Sequence, residues 1–150
     1  MAATYETILY AVDDRIATIT LNRPEKHNAF TVAMAGELRR AWADVKANPE
    51  VVVAVVTGAG DKAFCTGMDV ADVADGSARA EADRMQREAG KPFYAFLTAL
   101  QNRCWKPVIT AVNGMVVGGG LHFIADSDLI LAAEHATFFD THVKVGLVAG

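Results

Sequence analysis

The chain has 150 residues, of which 52% are hydrophobic and 21% charged, as is usual for one soluble globular domain. The formal net charge of −4 and the scattered Lys and Arg residues argue against a nucleic-acid partner. No apolar run reaches the roughly 18–20 residues that span a bilayer, which argues against a membrane protein.

Cysteine usage and the two ends of the chain give further expectations. Residues 1–14 lack the basic and apolar regions of a signal peptide. Cys65 and Cys104 lie far apart without metal-type spacing, so we expect reduced thiols in a cytoplasmic protein. No HxH or HxxxH spacing occurs, so no metal site is expected. Residues 146–150 are apolar and contain glycine, unlike most solvated chain ends, so we expect a fragment of a longer protein.

The first third of the chain predicts a hairpin, a helix and a buried strand. Residues 7–12 and 15–21 are predicted strands joined by a turn at Asp13-Asp14. Thr31 is expected to cap a helix whose apolar residues recur at three- and four-residue steps until Asn48-Pro49. The β-branched run at residues 51–56 is typical of a strand that is buried on both faces.

The remainder of the chain alternates further helices and strands. We expect a mobile acidic segment with a surface helix (72–88), an amphipathic helix (92–104), a buried strand (107–112), a short helix (121–125), a strand (129–132) and an irregular edge (142–148). This alternation indicates an α/β architecture with crossover connections.

Three consecutive glycines, Gly118, Gly119 and Gly120, stand between a strand-like run and the predicted helix at 121–125. Glycine lets the backbone approach a ligand closely, and an amide that opens a helix points its N–H outward. Such an amide can hold negative charge on a carbonyl oxygen, and a second candidate donor lies in residues 63–69. By itself the triplet could equally be a tight strand-to-helix turn.

Five segments in a fixed order cover most of the chain. They are residues 19–29 (ITLNRPEKHNA), 55–60 (VVTGAG), 63–69 (AFCTGMD), 106–114 (KPVITAVNG) and the glycine triplet. With this series the chain resembles the enoyl-CoA hydratase/isomerase (crotonase) family. The resemblance implies an α/β spiral of ββα turns, of which residues 1–150 would be the N-terminal core without the C-terminal helical part. It also implies a homotrimer or dimer of trimers, and an acyl-CoA substrate in which coenzyme A is part of the substrate.

The resemblance also assigns roles to individual residues. It implies that the amides of Met68 and Gly119 form an oxyanion hole for the thioester oxygen. Substrate contacts are expected from these two residues and from eight others: Lys26, Ala29, Ala63, Thr66, Asp69, Val70, Met115 and Gly118. Two of these have equally plausible structural readings, because Lys26 could be a solvated loop residue and Asp69 a turn cap.

The chain departs from the family at the two positions where its hydratases carry catalytic glutamates. His122 and His142 occupy those positions. A histidine pair could replace a glutamate pair in acid–base work, or could mark a different reaction, although a lone histidine on an apolar segment is more often a core residue. Asp140 projects to the same side as His142 in an extended segment, where it could orient the imidazole, act itself or make a structural hydrogen bond.

These residues favour a hydratase or isomerase that acts on an enoyl-CoA. One alternative is a hydrolase of an acyl-CoA thioester or of a C–C bond in a β-dicarbonyl compound. The other is a catalytically silent protein that binds CoA. The remaining candidates, His27, His135, Asp126 and Asp128, are interpreted as loop or structural residues.

Overall fold

The computed structural model describes residues 4–142, 144 and 146, and within them the chain forms eight strands and four α-helices. The strands are β1 Ile8–Asp13, β2 Ile16–Leu21, β3 Val53–Gly58, β4 Ala63–Cys65, β5 Val108–Val112, β6 Met115–Val117, β7 Leu129–Ala132 and β8 Phe138–Phe139. The helices are α1 Val32–Ala47, α2 Val70–Ala74, α3 Gly76–Ala89 and α4 Leu121–Ala125.

The strands belong to two sheets of different size. The larger sheet has the order β1-β2-β3-β5-β7, and only its β1–β2 pair is antiparallel. The smaller sheet has the order β4-β6-β8 and is entirely parallel. A strand of the smaller sheet follows each of β3, β5 and β7, and helices follow β4 and β6. This repeat confirms the expected spiral of ββα turns.

The predicted hairpin is confirmed, but its turn lies one residue further along the chain. Asp14 and Arg15 both have positive φ, 43° and 67°, and Asp13 still pairs with Ile16. A two-residue turn with positive φ at both central positions twists in the same sense as the strands it joins. The predicted turn at Asp13-Asp14 was therefore wrong by one residue.

The first long helix forms as predicted and covers one face of the larger sheet. The Thr31 hydroxyl accepts a hydrogen bond from the Met34 amide, 3.0 Å away, and so caps α1. Leu38, Trp42 and Val45 of α1 are buried in the same apolar core as the inward-facing residues of β2 and β3. Burial of each such side chain contributes about 1.5–3 kcal/mol to the free energy of unfolding.

The prediction that residues 51–56 form a strand buried on both faces was only partly right. The strand β3 covers Val53–Gly58, and its residues alternate between half-buried and buried. One face packs into the core while the other is incompletely covered. A continuous β-branched run does not distinguish these two situations, because its sequence has no polar face in either case.

The amphipathic helix predicted at 92–104 is absent, and only a 3₁₀ turn, Phe93–Phe96, forms there. Side chains compete with helical hydrogen bonds after this turn. Gln101 Oε1 accepts from the amide of Leu97 at 2.8 Å, and Asn102 Nδ2 donates to the carbonyls of Phe96 and Thr98. Local side-chain contacts of this kind offer the backbone an alternative to a helix.

Residues 72–88 contain the predicted surface helix as α3, in which Met85 is the one buried residue. The predicted irregular edge at 142–148 falls largely outside the described residues. None of the helices in the described part of the chain combines the length and the apolarity that a membrane crossing requires.

Glu37 in the middle of α1 is a structural residue that sequence reasoning missed. Its side chain is buried, and its carboxylate accepts hydrogen bonds from the amides of Glu6, Thr7 and Ile8 at 2.8, 2.9 and 3.1 Å. The Thr7 hydroxyl adds a fourth at 2.7 Å. The segment that leads into β1 is therefore tied to α1 by one charged acceptor.

We expect Glu37→Ala to lower the free energy of unfolding by about 2–4 kcal/mol, because one buried and two partly buried amide donors lose their charged acceptor. Chemical denaturation measures this change. Glu50→Ala, at an exposed position, is the matched control and is expected to change the value by less than about 0.5 kcal/mol. Equal stability of the two variants would contradict the prediction.

Candidate active site

Three chain segments meet where the strands of the smaller sheet end. Residues 66–68 follow β4, residues 118–120 follow β6 and residues 140–142 follow β8. Because the three strands are parallel, these segments leave the sheet at the same edge. Ligands in α/β proteins commonly bind at the carboxyl ends of parallel strands, which makes this edge the candidate active site.

The first two of these segments are in direct backbone contact. A Cβ added to Gly67 would lie 3.1 Å from the Gly119 nitrogen and 3.1 Å from the Val117 carbonyl oxygen. Gly67 also has a φ of +88°, which side-chain-bearing residues rarely adopt. Glycine at position 67 is therefore required both for the turn and for the close approach of residue 119.

The amides of Met68 and Gly119 are the candidate donors of this site. Neither donates a turn, loop or side-chain hydrogen bond within the described residues. Phe30 donates to the Gly67 carbonyl and accepts from the Asp69 amide, a parallel bridge that directs the Met68 N–H away from Phe30. Gly119 lies in the first turn of the 3₁₀ helix Gly118–Gly120, where an amide has no acceptor within the helix.

The third glycine of the triplet has a packing role. A Cβ on Gly120 would lie 2.4 Å from the Cys65 carbonyl oxygen, so this position also excludes a side chain. Burial raises the pKa of the Cys65 thiol to about 12. The thiol therefore stays protonated at neutral pH and acts as a packing group, not as a nucleophile.

Asp140 and His142 form a hydrogen-bonded pair just after β8. Asp140 Oδ1 accepts from the main-chain N–H of His142 at 2.9 Å and also contacts ring Nδ1. These two contacts, the main-chain one first, lower the pKa of Asp140 below its usual value. Thr141 separates these two residues in the chain, and its hydroxyl oxygen lies 3.2 Å from the position that a Cβ on Gly118 would take. The segment 140–142 therefore lies beside the glycine triplet.

His122 lies at the start of α4, one turn after Gly119, and is half-buried. Within the described residues it is not hydrogen-bonded to His142. The structure therefore places both histidines on segments that leave the same sheet edge, with Asp140 paired to one of them. The catalytic roles of Met68, Gly119, His122, His142 and Asp140 remain predictions.

The sequence model of the enoyl-CoA hydratase/isomerase family matches residues 12–150. The chain belongs to this family. It is 38% identical over 139 residues to (E)-benzylidenesuccinyl-CoA hydratase of Thauera aromatica, a match that covers 93% of this chain and 52% of that protein. It is 34% identical over 146 residues to crotonyl-CoA hydratase of Syntrophomonas wolfei, covering 97% of this chain and 54% of the relative.

Solved structures of the family share the fold. An enoyl-CoA hydratase/isomerase from Mycobacterium paratuberculosis matches with a TM-score of 0.79 and 42% sequence identity, over 98% of this chain and 53% of that chain. The chain thus spans about half the length of the curated relatives and of the solved structure that it matches.

The residues that the family resemblance assigns to substrate binding lie on three segments: before α1, from β4 to the start of α2, and from β6 to the turn after it. Lys26 is exposed in the 3₁₀ turn Pro24–Lys26, and Ala29 is buried with its carbonyl bound to the Arg23 guanidinium. Ala63 begins β4 opposite Met115 of β6. The Thr66 hydroxyl donates to the His27 carbonyl, 3.3 Å away.

Val70 and Gly118 complete the set and differ in exposure. Val70 is 73% exposed at the start of α2, whereas Gly118 is buried at the end of β6. Substrate binding by the residues that the family resemblance assigns to it remains a prediction.

Asn28, in the segment that precedes α1, is fully buried, and its amide nitrogen donates to the carbonyls of Ala59 and Ala63.

Asp69 has the capping role that the sequence left open. Its carboxylate accepts from the amides of Ala71 and Asp72 and forms an ion pair with Arg23 at 3.0 Å. Burial raises the pKa of Asp69, but the hydrogen bonds from Arg23, Asp72 and Ala71 outweigh it and hold the pKa below its usual value. Its role in substrate binding stays a prediction.

The histidines and aspartates interpreted as loop or structural residues are found in such roles. His27 lies at the end of a 3₁₀ turn, and His135 Nε2 contacts the Asn113 carbonyl. Asp126 accepts from the Thr98 hydroxyl, and Asp128 accepts from the Val108 amide at 2.8 Å.

Sequence reasoning missed three residues that support the site: Arg23, Asn28 and Phe30. Their signal in the sequence is a polar loop that ends in Ala-Phe, which does not show what each side chain contacts. The hydrogen-bond partners of these three residues outside this loop lie 31–46 positions away in the chain, so local pattern reading had no access to them.

We expect Asp69→Asn to lower the free energy of unfolding by about 1 kcal/mol at pH 7, because Arg23 loses its charged partner. The folded-state pKa of Asp69 is depressed, so its stabilisation exists above the unfolded pKa and disappears as pH falls through the folded value. The difference between wild type and variant should therefore shrink below about pH 4. Denaturant unfolding at pH 7 and pH 3 measures it, and a pH-independent difference would contradict the assignment.

We expect Gly67→Ala to reduce turnover of an enoyl-CoA by at least about 100-fold, because the new Cβ would crowd the Gly119 amide. Gly90→Ala is the matched control, since Gly90 has a similar positive φ of 69° but open space around its Cβ position. Both variants bear the backbone strain of about 1–2 kcal/mol. An equal loss of activity in both would attribute the effect to strain and not to the site.

Proposed function

We propose that the protein is an acyl-CoA enzyme of the hydratase or isomerase type, acting on an enoyl-CoA thioester. The observation that carries this proposal is the contact of Gly67 with the Gly119 nitrogen at the edge where Asp140 and His142 also emerge. Similarity to a crotonyl-CoA hydratase and a benzylidenesuccinyl-CoA hydratase supports the substrate class.

The amide N–H groups of Met68 and Gly119 hold the thioester oxygen. When water or a base attacks an enoyl thioester, negative charge develops on this oxygen as an enolate. Preorganised amide donors stabilise that charge more than the neutral carbonyl, and one such donor is worth roughly 3–4 kcal/mol of transition-state stabilisation. Since main-chain groups do this work, a Met side chain at position 68 is tolerated.

The pairing of Asp140 with His142 fixes the reactive nitrogen of the imidazole. With Nδ1 donating to the Asp140 carboxylate, Nε2 is left to accept a proton. In hydration, His142 takes a proton from water while the water oxygen bonds to the β-carbon. The double-bond electrons move onto the thioester oxygen, and when they return to the α-carbon it gains the proton that His142 took from water, passed on through His122. An isomerase would use the same groups to move a proton along the acyl chain.

The CoA part of the substrate lies along the segments before α1 and after β4. Lys26 supplies a positive point charge for a phosphate. The backbones of Ala29, Ala63, Thr66, Asp69 and Val70, with Met115 and Gly118 further along, line the path to the thioester. A homotrimer or dimer of trimers and a cytoplasmic location complete the proposal, with no nucleic-acid or membrane partner and no cofactor besides the CoA of the substrate.

A hydrolase is the second candidate, and the Asp140–His142 pair is the observation that favours it. A carboxylate-oriented histidine can direct water against a carbonyl carbon. The C–S bond of a thioester, or a C–C bond in a β-dicarbonyl compound, then breaks, and the departing thiolate or enolate takes the proton that the histidine removed from water. The same two amides would hold the oxygen of the tetrahedral adduct.

Crotonyl-CoA distinguishes these reactions. Loss of the conjugated thioester absorbance without free thiol indicates hydration, whereas thiol release indicates hydrolysis. We expect hydration by the full-length protein, and a kcat lowered about 10²–10⁴-fold in His142→Ala because general-base catalysis is lost. His135→Ala, a histidine outside the site, is the control and should retain activity.

Two results would contradict this assignment. Binding of CoA without conversion of any enoyl-CoA would identify a catalytically silent CoA-binding protein. Full activity in both His142→Ala and His122→Ala would remove the histidines from the mechanism, leaving only the amides.

A further inference from the structure

We infer that Phe30 is a positioning residue that sets the spacing of the two amide donors, an inference that rests on the proposed function. Two donor segments carry the candidate amides: residues 66–68 carry that of Met68, and residues 118–120 carry that of Gly119. Phe30 contacts the first through its backbone and the second through its ring. It does not reach the reacting atoms itself.

The backbone of Phe30 holds the segment that carries the first donor. Its N–H donates to the Gly67 carbonyl at 2.8 Å, and its carbonyl accepts from the Asp69 amide at 2.9 Å. These bonds bracket Met68 on both sides and fix the peptide plane between Gly67 and Met68. Since the N–H groups of an extended strand alternate in direction, the Met68 N–H points away from Phe30.

The ring of Phe30 holds the segment that carries the second donor. A Cβ built on Gly119 would lie 2.9 Å from Cε1 and 3.0 Å from Cζ of Phe30, and 3.6 Å from the Gly67 Cα. The space next to the Gly119 Cα is therefore filled by this ring. Phe30 is only 2% exposed, so the ring has no room to move aside.

The residues on either side of Phe30 are tied to the rest of the fold. The Ala29 carbonyl accepts from the Arg23 guanidinium at 2.7 Å, and the Val32 amide donates to the Asp72 carboxylate at 2.9 Å. Asn28 is bound to the carbonyls of Ala59 and Ala63. These hydrogen bonds hold Phe30 in a fixed position, and its contacts set the positions of the two donor segments.

A smaller side chain at position 30 would keep the backbone bonds to Gly67 and Asp69 but leave space beside Gly119. The second donor would then shift relative to the first. Because the donors act most strongly in the transition state, a shift well under 1 Å lowers kcat more than it weakens substrate binding. A residue that served only the core would lower stability without this selective effect.

The test compares Phe30→Leu with Phe93→Leu in the full-length protein. Phe93 is also a buried phenylalanine, at 6% exposure, but lies in the Phe93–Phe96 turn away from the site. For Phe30→Leu we expect kcat on crotonyl-CoA to fall about 10–100-fold while KM changes about twofold or less. Phe93→Leu should lose comparable stability and keep its kcat. Phe30→Met, whose unbranched and flexible side chain fills irregular core space better, replaces the leucine variant if that variant does not fold.

A spectroscopic readout separates positioning from stability. Butanoyl-CoA, which has no double bond to react, is bound to each variant, and the infrared stretch of its thioester carbonyl is recorded. Hydrogen bonds to the oxygen lower this frequency. We expect a lowered frequency in wild type and Phe93→Leu, and a value closer to that of free butanoyl-CoA in Phe30→Leu.

The outcomes distinguish this inference from the function on which it rests. A wild-type frequency equal to that of free butanoyl-CoA would overturn the two-amide site and the role of Phe30 together. A lowered frequency that is the same in wild type and Phe30→Leu would overturn the role of Phe30 alone, whatever happens to kcat.

Discussion

The candidate site depends on the absence of side chains at two backbone positions that are distant in sequence. Gly67 and Gly119 approach so closely that a Cβ on the first would sit 3.1 Å from the nitrogen of the second. This contact is what brings the turn after β4 beside the turn after β6. Gly120 adds a second close contact, because it packs against the Cys65 carbonyl. This contact holds the glycine triplet against the preceding turn of the spiral. Every other feature of the site is arranged around this backbone contact.

The segment before α1 gives the contact its rigidity. Asn28 and Arg23 join this segment to the start of β4 and to the helix cap at Asp69. Phe30 follows these anchors in the chain and contacts both the turn at Gly67 and the turn at Gly119. In physical terms, buried hydrogen bonds hold the backbone in place, and a tightly packed ring sets the remaining distance. An electrostatic site made from main-chain amides requires such support, because its donors have no rotamers of their own that could adjust to a substrate.

The side-chain chemistry of the proposed site departs from the pattern that the family resemblance implies. Histidines stand at the two positions where glutamates are expected, and one of them is paired with Asp140. An imidazole accepts a proton near neutral pH without the desolvation that a glutamate would need. Under the proposed function, the amide donors would serve an enolate and a tetrahedral adduct equally well, so the histidines and Asp140, more than the fold, would decide which reaction takes place.

The sequence by itself determined the elements whose causes are local. The alternation in β2, the hydroxyl of Thr31 before an apolar helix, and the passage from Gly118–Gly120 into α4 could all be read directly. The family resemblance added the candidate donors at Met68 and Gly119. Tertiary structure alone decided that Gln101 and Asn102 would prevent a helix after Phe96 and that Glu37 would bind the amides before β1. It also decided that Phe30 would contact Gly119. The contacts of Glu37 and Phe30 join residues that come close only when the whole chain is folded. Those of Gln101 and Asn102 are local hydrogen bonds that compete with helical ones. A periodic pattern in the sequence encodes neither outcome.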